Sequence, residues 1–196
     1  MKIQYIRTSL CRSPVYTFGN GEQSILLVSG IHGNEINSIL TNIMLSKYLK
    51  RNENKLNGRV IVIPIANFEA FKYRRRCSLI DGLDLNRCFP GREYGAPTEQ
   101  HAWRVWELAS NTDFVVDIHT HSWCVPYILT MHEKYEAARK FVMNIPYRYV
   151  VESWGTSGQL FVELIRSGGV ASIIELPQRC NIANVKASRF HTGKLI

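Results

Sequence analysis

His32 and Glu35 stand three residues apart in the segment Gly30-Ile31-His32-Gly33-Asn34-Glu35. An imidazole nitrogen and a carboxylate oxygen at that separation can turn toward one ion. Borderline metals such as zinc accept both donors, and a catalytic zinc takes three protein ligands and keeps a position for water. A third donor is available in Asp117-Ile118-His119-Thr120-His121. His119 is preferred to His121 because it lies nearer the strand end. Asp117, two residues earlier, shares its strand face and can accept a hydrogen bond from its second ring nitrogen. Glu175 ends the apolar run of Ile173-Ile174-Glu175-Leu176-Pro177. A carboxylate there is costly to bury unless it is used or paired, and burial raises its pKa toward the range of a general base. A lone His-x-x-Glu is common by chance, and a His after a strand is often only a loop residue. Two strand ends offering donors together favour the metal reading.

A second segment, Asp84-Leu85-Asn86-Arg87-Cys88-Phe89-Pro90-Gly91, carries an adjacent amide and guanidinium. Asn86 and Arg87 together can grip a carboxylate, the arginine through a two-pronged fork. The plainer alternative is an internal ion pair between Asp84 and Arg87. Arg76 lies ten positions before Asn86. An arginine beside a metal could polarise a carbonyl and stabilise the oxyanion that develops, but Arg74 and Arg75 compete with it and composition does not choose among them.

The elements that must hold these residues alternate. The apolar run Ser24–Ser29 reads as a buried strand, so His32 and Glu35 fall on the loop at its carboxyl end. Glycines on either side let that loop bend sharply. Ile36–Lys50 reads as a helix with Ile36, Ile39, Leu40, Ile43, Met44 and Leu49 on one face. Strands are expected at Arg59–Ile65, Asp113–Ile118, Tyr127–Met131, Tyr147–Glu152 and Val170–Leu176. Helices are expected at Thr98–Ser110 (with Thr98 as N-cap), His132–Asn144 and Gly158–Ser167. The Gly-, Asp-, Asn- and Pro-rich stretch 81–95 reads as an ordered loop. Strand–helix alternation predicts an α/β sheet with helices on both faces. Ligands of such sheets collect at strand carboxyl ends, so both donor segments fall on one edge.

The chain has 196 residues, 45% hydrophobic and 20% charged. That predicts one soluble globular domain, 1–196. No apolar run approaches a membrane span, and the first residues lack the apolar stretch of a secretory signal, which predicts a cytoplasmic protein. Five dispersed cysteines without Cys-x-x-Cys fit reduced thiols. The net charge of +8 could point to nucleic acid. However, the excess is local (Lys72, Arg74, Arg75, Arg76, Arg87 and Arg92), and no nucleic-acid module is present. An anionic small substrate is the preferred partner, with neither nucleic acid nor membrane; a homo-oligomer is left open. No Gly-x-Ser-x-Gly elbow, dinucleotide fingerprint or P-loop occurs.

In order along the chain, these segments resemble the zinc carboxypeptidase superfamily, and within it the succinylglutamate desuccinylase/aspartoacylase branch. The resemblance rests on Gly30 to Glu35, Arg76, Asp84 to Gly91, Asp117-Ile118-His119 and Glu175. It implies a mixed, mostly parallel central sheet flanked by helices. It also implies one Zn2+ per chain held by His32, Glu35 and His119. Glu175 would act as general base and then general acid, Arg76 as the group polarising the scissile carbonyl, and Asn86 and Arg87 as holders of a substrate carboxylate. The implied reaction is cleavage of the amide bond of an N-acyl amino acid. A metallocarboxypeptidase or murein-peptide amidase with the same metal centre is the alternative, acting on a peptide substrate. Only about twenty residues follow Glu175, so the β-rich C-terminal domain usual in the family is expected to be missing.

Overall fold

β-branched runs separated by helical segments build one eight-stranded sheet. The computed structural model describes residues 1–178. The strands are β1 (Lys2–Arg7), β2 (Arg12–Phe18), β3 (Ser24–Ser29), β4 (Arg59–Ile63), β5 (Phe114–His121), β6 (Tyr127–Thr130), β7 (Val150–Glu152) and β8 (Ala171–Pro177). The helices are α1 (Ile36–Arg51), α2 (Phe68–Lys72), α3 (Pro97–Ala109), α4 (Glu136–Met143) and α5 (Leu160–Arg166). The spatial order is β1-β2-β4-β3-β5-β8-β6-β7. The central strands β4, β3, β5 and β8 run parallel. Antiparallel pairings join β2 to β4, β1 to β2 and β6 to β8, while β7 runs parallel to β6. The sheet is therefore mixed, mostly parallel and flanked by helices, as expected.

The topology sets the site. After β3 the chain crosses through α1 to β4 on one side. After β4 it crosses back through α2 and α3 to β5 on the other side of β3. The carboxyl ends of β3 and β5 thus flank the point where the strand order reverses, the usual ligand crevice of such sheets. Each face has its own core. Leu26, Val28, Val115 and Ile173 pack with Ala102 and Val105 of α3 and Leu164 of α5. Leu27, Val116, Ile118 and Ile174 pack on the opposite face with Leu49 of α1 and Phe141 of α4. Fully burying one such aliphatic side chain contributes about 1.5–3 kcal/mol, so the strands bearing the site are firmly placed.

Two readings of helices need correction. The face of α1 turned to the sheet carries Ser38, Ile39, Asn42, Ser46 and Leu49, whereas Leu40 and Met44 are 39% and 42% exposed. Asn42 Nδ2 donates to Ser29 Oγ at 2.9 Å, and the Ser38 and Ser46 hydroxyls donate to the Glu35 and Asn42 carbonyls. Small polar side chains bonded in this way let the helix sit close on β3, although Asn42 Oδ1 has no partner among the described residues. Thr98 is not the N-cap of α3, which begins at Pro97. Its N–H and hydroxyl both donate to Asp81, each at 2.7 Å, so the cap comes from the preceding loop. The hairpin β1–β2 and the short α2 were not anticipated. Cys11, Cys77, Cys88 and Cys124 are free thiols; Cys180 lies outside the described residues. No helix among the described residues is long and apolar enough to cross a membrane.

Candidate metal centre

The loop after β3 can hold its shape because of two glycines. Gly30 has φ +65, where a side chain is strained. At Gly33 a Cβ would lie 2.1 Å from the Ala70 carbonyl carbon and the Phe71 nitrogen. Only glycine lets this loop rest on the backbone of α2. The loop thereby presents His32 and Glu35 beside the neighbouring strand, where Ser29 pairs with Ile118 and His119 follows.

His32, Glu35 and His119 are 3%, 7% and 4% exposed. Each offers a donor atom within 4.8 Å of the others'. His32 Nδ1 lies 2.6 Å from Glu35 Oε1, and His119 Nδ1 lies 3.1 Å from Glu35 Oε2. The outward nitrogens meet carboxylates: His32 Nε2 is 3.0 Å from Asp84 Oδ1, and His119 Nε2 is 2.8 Å from Asp117 Oδ2. An acid on the far nitrogen fixes the ring and its tautomer, the arrangement typical of imidazoles that ligate metals. The Thr120 N–H donates to Glu35 Oε2 at 2.9 Å and steadies the third donor. Burial alone would push Glu35 up, but the two imidazoles hold it far below the usual carboxylate range. Burial would likewise push His119 down, and the Asp117 and Glu35 charges reverse this and raise it well above the usual imidazole range. Two imidazoles within a ring of acids make a negative, nearly dry enclosure that fits a divalent cation.

Glu175 pairs laterally with His119 in the sheet register. Adjacent positions on neighbouring strands share a face, so its carboxylate stands beside the donor set. Burial pushes its pKa up, with His119 opposing. Its Oε2 is buried and has no hydrogen-bond partner among the described residues. A buried carboxyl that is not fully satisfied is poised to exchange a proton.

The arginine run is resolved geometrically. Arg76 Nε and Nη2 lie 3.0 and 2.9 Å from Asp84 Oδ2, tying it to the acid that holds His32. Arg74 and Arg75 make no ion pair among the described residues. The alternative pairing of Asp84 with Arg87 does not occur, and Arg87 has no carboxylate partner among the described residues. Arg87 is exposed and its Nη1 donates to the Asn86 carbonyl at 2.6 Å. Asn86 is buried; its Oδ1 accepts the Leu160 N–H at 3.0 Å, and Nδ2 lies 3.4 Å from His119 Nε2. Its oxygen is thus committed to the scaffold, and only Nδ2 remains for a substrate. Sequence reasoning missed Asp84 as the orienting acid of His32, although its place two residues before Asn86 in a distinctive loop was the available signal.

Comparison with known proteins follows the same lines. The model of the succinylglutamate desuccinylase/aspartoacylase catalytic domain matches residues 22–176. The chain is 38% identical over 109 residues to the N-alpha-acetyl-L-2,4-diaminobutyric acid deacetylase of Halomonas elongata, a match covering 55% of this chain and 31% of that protein. A succinylglutamate desuccinylase/aspartoacylase structure from Rhodobacter sphaeroides superposes with TM-score 0.82 at 26% identity, covering 94% of this chain and 61% of that one. A metallo-carboxypeptidase from Burkholderia cenocepacia shares the fold alone, with TM-score 0.68 at 14% identity over 92% of this chain and 57% of that one. The chain therefore spans less than two thirds of these relatives.

Proposed function

The chain belongs to the succinylglutamate desuccinylase/aspartoacylase family, and we propose that it is, as a single catalytic domain, a zinc-dependent hydrolase of the amide bond in N-acyl amino acids. The observation that carries this reading is the convergence of three donor atoms within 4.8 Å, with Glu175 alongside. The deacetylase activity named for the Halomonas relative supports the substrate class.

His32, Glu35 and His119 would hold the metal. A zinc ion bound there would supply Lewis acidity and lower the pKa of a bound water from about 15.7 to about 7. Glu175, raised by burial, takes the proton as water attacks the amide carbon and returns it to the leaving amine. Arg76 faces the negative charge growing on the carbonyl oxygen. Two of its nitrogens are held by Asp84, which orients the guanidinium and leaves Nη1 for the substrate. Arg87 takes the substrate carboxylate, with Asn86 Nδ2 as an added donor.

The test is metal analysis combined with product analysis. Wild-type protein should bind one zinc per chain and release a free amino acid from N-acyl amino acids. His32→Ala should lose both properties. Stoichiometric zinc in that variant would defeat the ligand assignment. Cleavage of C-terminal peptide substrates in place of N-acyl amino acids would turn the reading to the carboxypeptidase or peptide-amidase alternative.

A further inference from the structure

Beyond the metal-facing end of β5 the chain turns and returns as β6, carrying three rings that the proposed chemistry leaves unused. In the sheet register His119, Glu175 and Tyr127 stand side by side on β5, β8 and β6. Tyr127 therefore rises on the same face as Glu175. His121, two residues after His119, rises on that face as well. The ring centroids of His121 and Trp123 are 5.2 Å apart, those of Trp123 and Tyr127 5.6 Å, and those of His121 and Tyr127 6.0 Å. Tyr127 is nearly buried; its phenol is pushed up by burial and then by the Glu175 charge, which puts the two within electrostatic reach. Trp123 has the opposite character. It is 64% exposed, and Val125 beside it is exposed too.

The rings form a closed triangle, yet they leave most of the indole in water. Exposed apolar surface next to a catalytic group marks a place that something else covers. The strand order assigns that place an end of the substrate. His32 follows β3, with Asp84 and Arg76 attached to it; next come His119 on β5, Glu175 on β8 and Tyr127 on β6. At about 4.8 Å per strand, β3 and β6 are roughly 14 Å apart. One end of this row carries the imidazole and its acids and the other the aromatic rings, and the proton-transfer group lies between them. A substrate whose carboxylate is taken by Arg87 and whose amide lies at Glu175 can direct its acyl portion past Glu175 toward the rings.

We propose that His121, Trp123 and Tyr127 form the acyl subsite, and that it takes planar apolar acyl groups, of the arylacetyl or aroyl class, in preference to acetyl or succinyl. This rests on the deacylase reading and on the carboxylate role of Arg87. Stacking on the indole and phenol faces recognises a flat ring, whereas an acetyl group would leave Trp123 uncovered.

The experiment has a kinetic and an equilibrium arm. In the first, kcat/KM of the zinc-loaded protein is measured for the N-acetyl, N-succinyl and N-phenylacetyl derivatives of one amino acid. The phenylacetyl compound should be preferred, and Trp123→Ala should lower its kcat/KM at least tenfold relative to the acetyl compound. In the second, calorimetry measures phenylacetate and acetate binding to the Glu175→Gln protein. Adding Trp123→Ala should weaken phenylacetate at least tenfold, and adding Trp154→Ala, an exposed indole outside the triangle, should not. Preference for acetyl or succinyl, with a ratio that Trp123→Ala leaves unmoved, overturns the subsite while the deacylase reading stands. Phenylacetate binding that depends on Trp123, without turnover of any N-acyl amino acid, overturns the deacylase reading and leaves an aryl-carboxylate site.

Discussion

Asp117 lies two residues before His119 on one face of β5, and its Oδ2 is 2.8 Å from His119 Nε2. The strand period of two puts both side chains on one face, within reach of this contact. Asp117 fixes which nitrogen of His119 is left for a cation. Asp117→Ala should therefore weaken zinc about 10–100-fold without removing any ligand. Competition titration against a chromophoric chelator would read this. Unaltered affinity would mean that packing alone orients the ring.

Glu175→Gln keeps the volume and removes the proton acceptor. The variant should bind zinc as the wild type does and lose about 10²–10⁴-fold in kcat, the span usual for general acid–base groups. Equilibrium metal content and steady-state rates on one N-acyl amino acid separate the two effects. A rate within a few-fold of wild type would remove Glu175 from the proton transfer.

The strands and the site were legible to different degrees, for physical reasons. β3, β4, β5 and β8 are nearly continuous apolar runs because both faces are covered, and such runs stand out in sequence. The convergence of His32, Glu35 and His119 was legible because they sit at the ends of those runs. The inward face of α1 was legible only in part. Periodicity counts apolar residues, and it found Ile39 and Leu49 on this face, but not Ser38, Asn42 and Ser46, whose polar groups bond locally or to β3. Leu40 and Met44 widened the expected stripe toward solvent. Asp84 was also illegible as a partner of His32. Fifty-two positions separate them, and Arg87 is the nearer cation in sequence, so only the folded loop reveals the pairing. Tyr127 escaped because its significance is lateral: it is a neighbour of Glu175 across the sheet, not along the chain.

Gly33→Ala tests whether the metal loop depends on its seat on α2. The added Cβ would meet backbone atoms of Ala70 and Phe71 at 2.1 Å, and backbone does not yield as a flexible side chain does. Overpacking of this kind costs about 1–3 kcal/mol. The variant should unfold at lower denaturant and bind zinc more weakly, because His32 and Glu35 flank the displaced residue. Chemical denaturation and zinc titration both report on this. A variant equal to wild type in both would mean that loop and helix separate without cost.

Arg87 and Arg76 should fail in different kinetic constants. Arg87 has no carboxylate partner among the described residues, so it is available to bind a substrate anion in ground and transition states alike. One charge-assisted pair is worth about 1.5–3 kcal/mol, and Arg87→Ala should raise KM roughly 10–100-fold with kcat little changed. With Arg76 in its proposed place, facing charge that appears only during reaction, Arg76→Ala should lower kcat instead. An unchanged KM for an anionic substrate in Arg87→Ala would contradict its assignment.

Asp81 gives the fold a pH dependence independent of the metal. Its carboxylate accepts the Thr98 N–H and hydroxyl, each at 2.7 Å, and the Leu83 N–H at 3.2 Å. Burial works to raise its pKa, but these bonds prevail and hold it below the ordinary aspartate value. A group depressed in the folded state stabilises the protein fully above its unfolded pKa, about 3.9, and that stability is lost as pH falls through the folded value. Asp81 also places a negative charge at the first turn of α3, where the helix dipole favours it. Asp81→Asn should therefore be about 1 kcal/mol less stable than wild type at pH 7. The gap should begin to narrow below about pH 4 and close as pH falls through the lower folded value, where wild-type Asp81 takes up a proton and loses the same advantage. Urea unfolding of both proteins across this range measures the gap directly. A gap that stayed constant with pH would show that the ionised form of Asp81 is not what caps the helix.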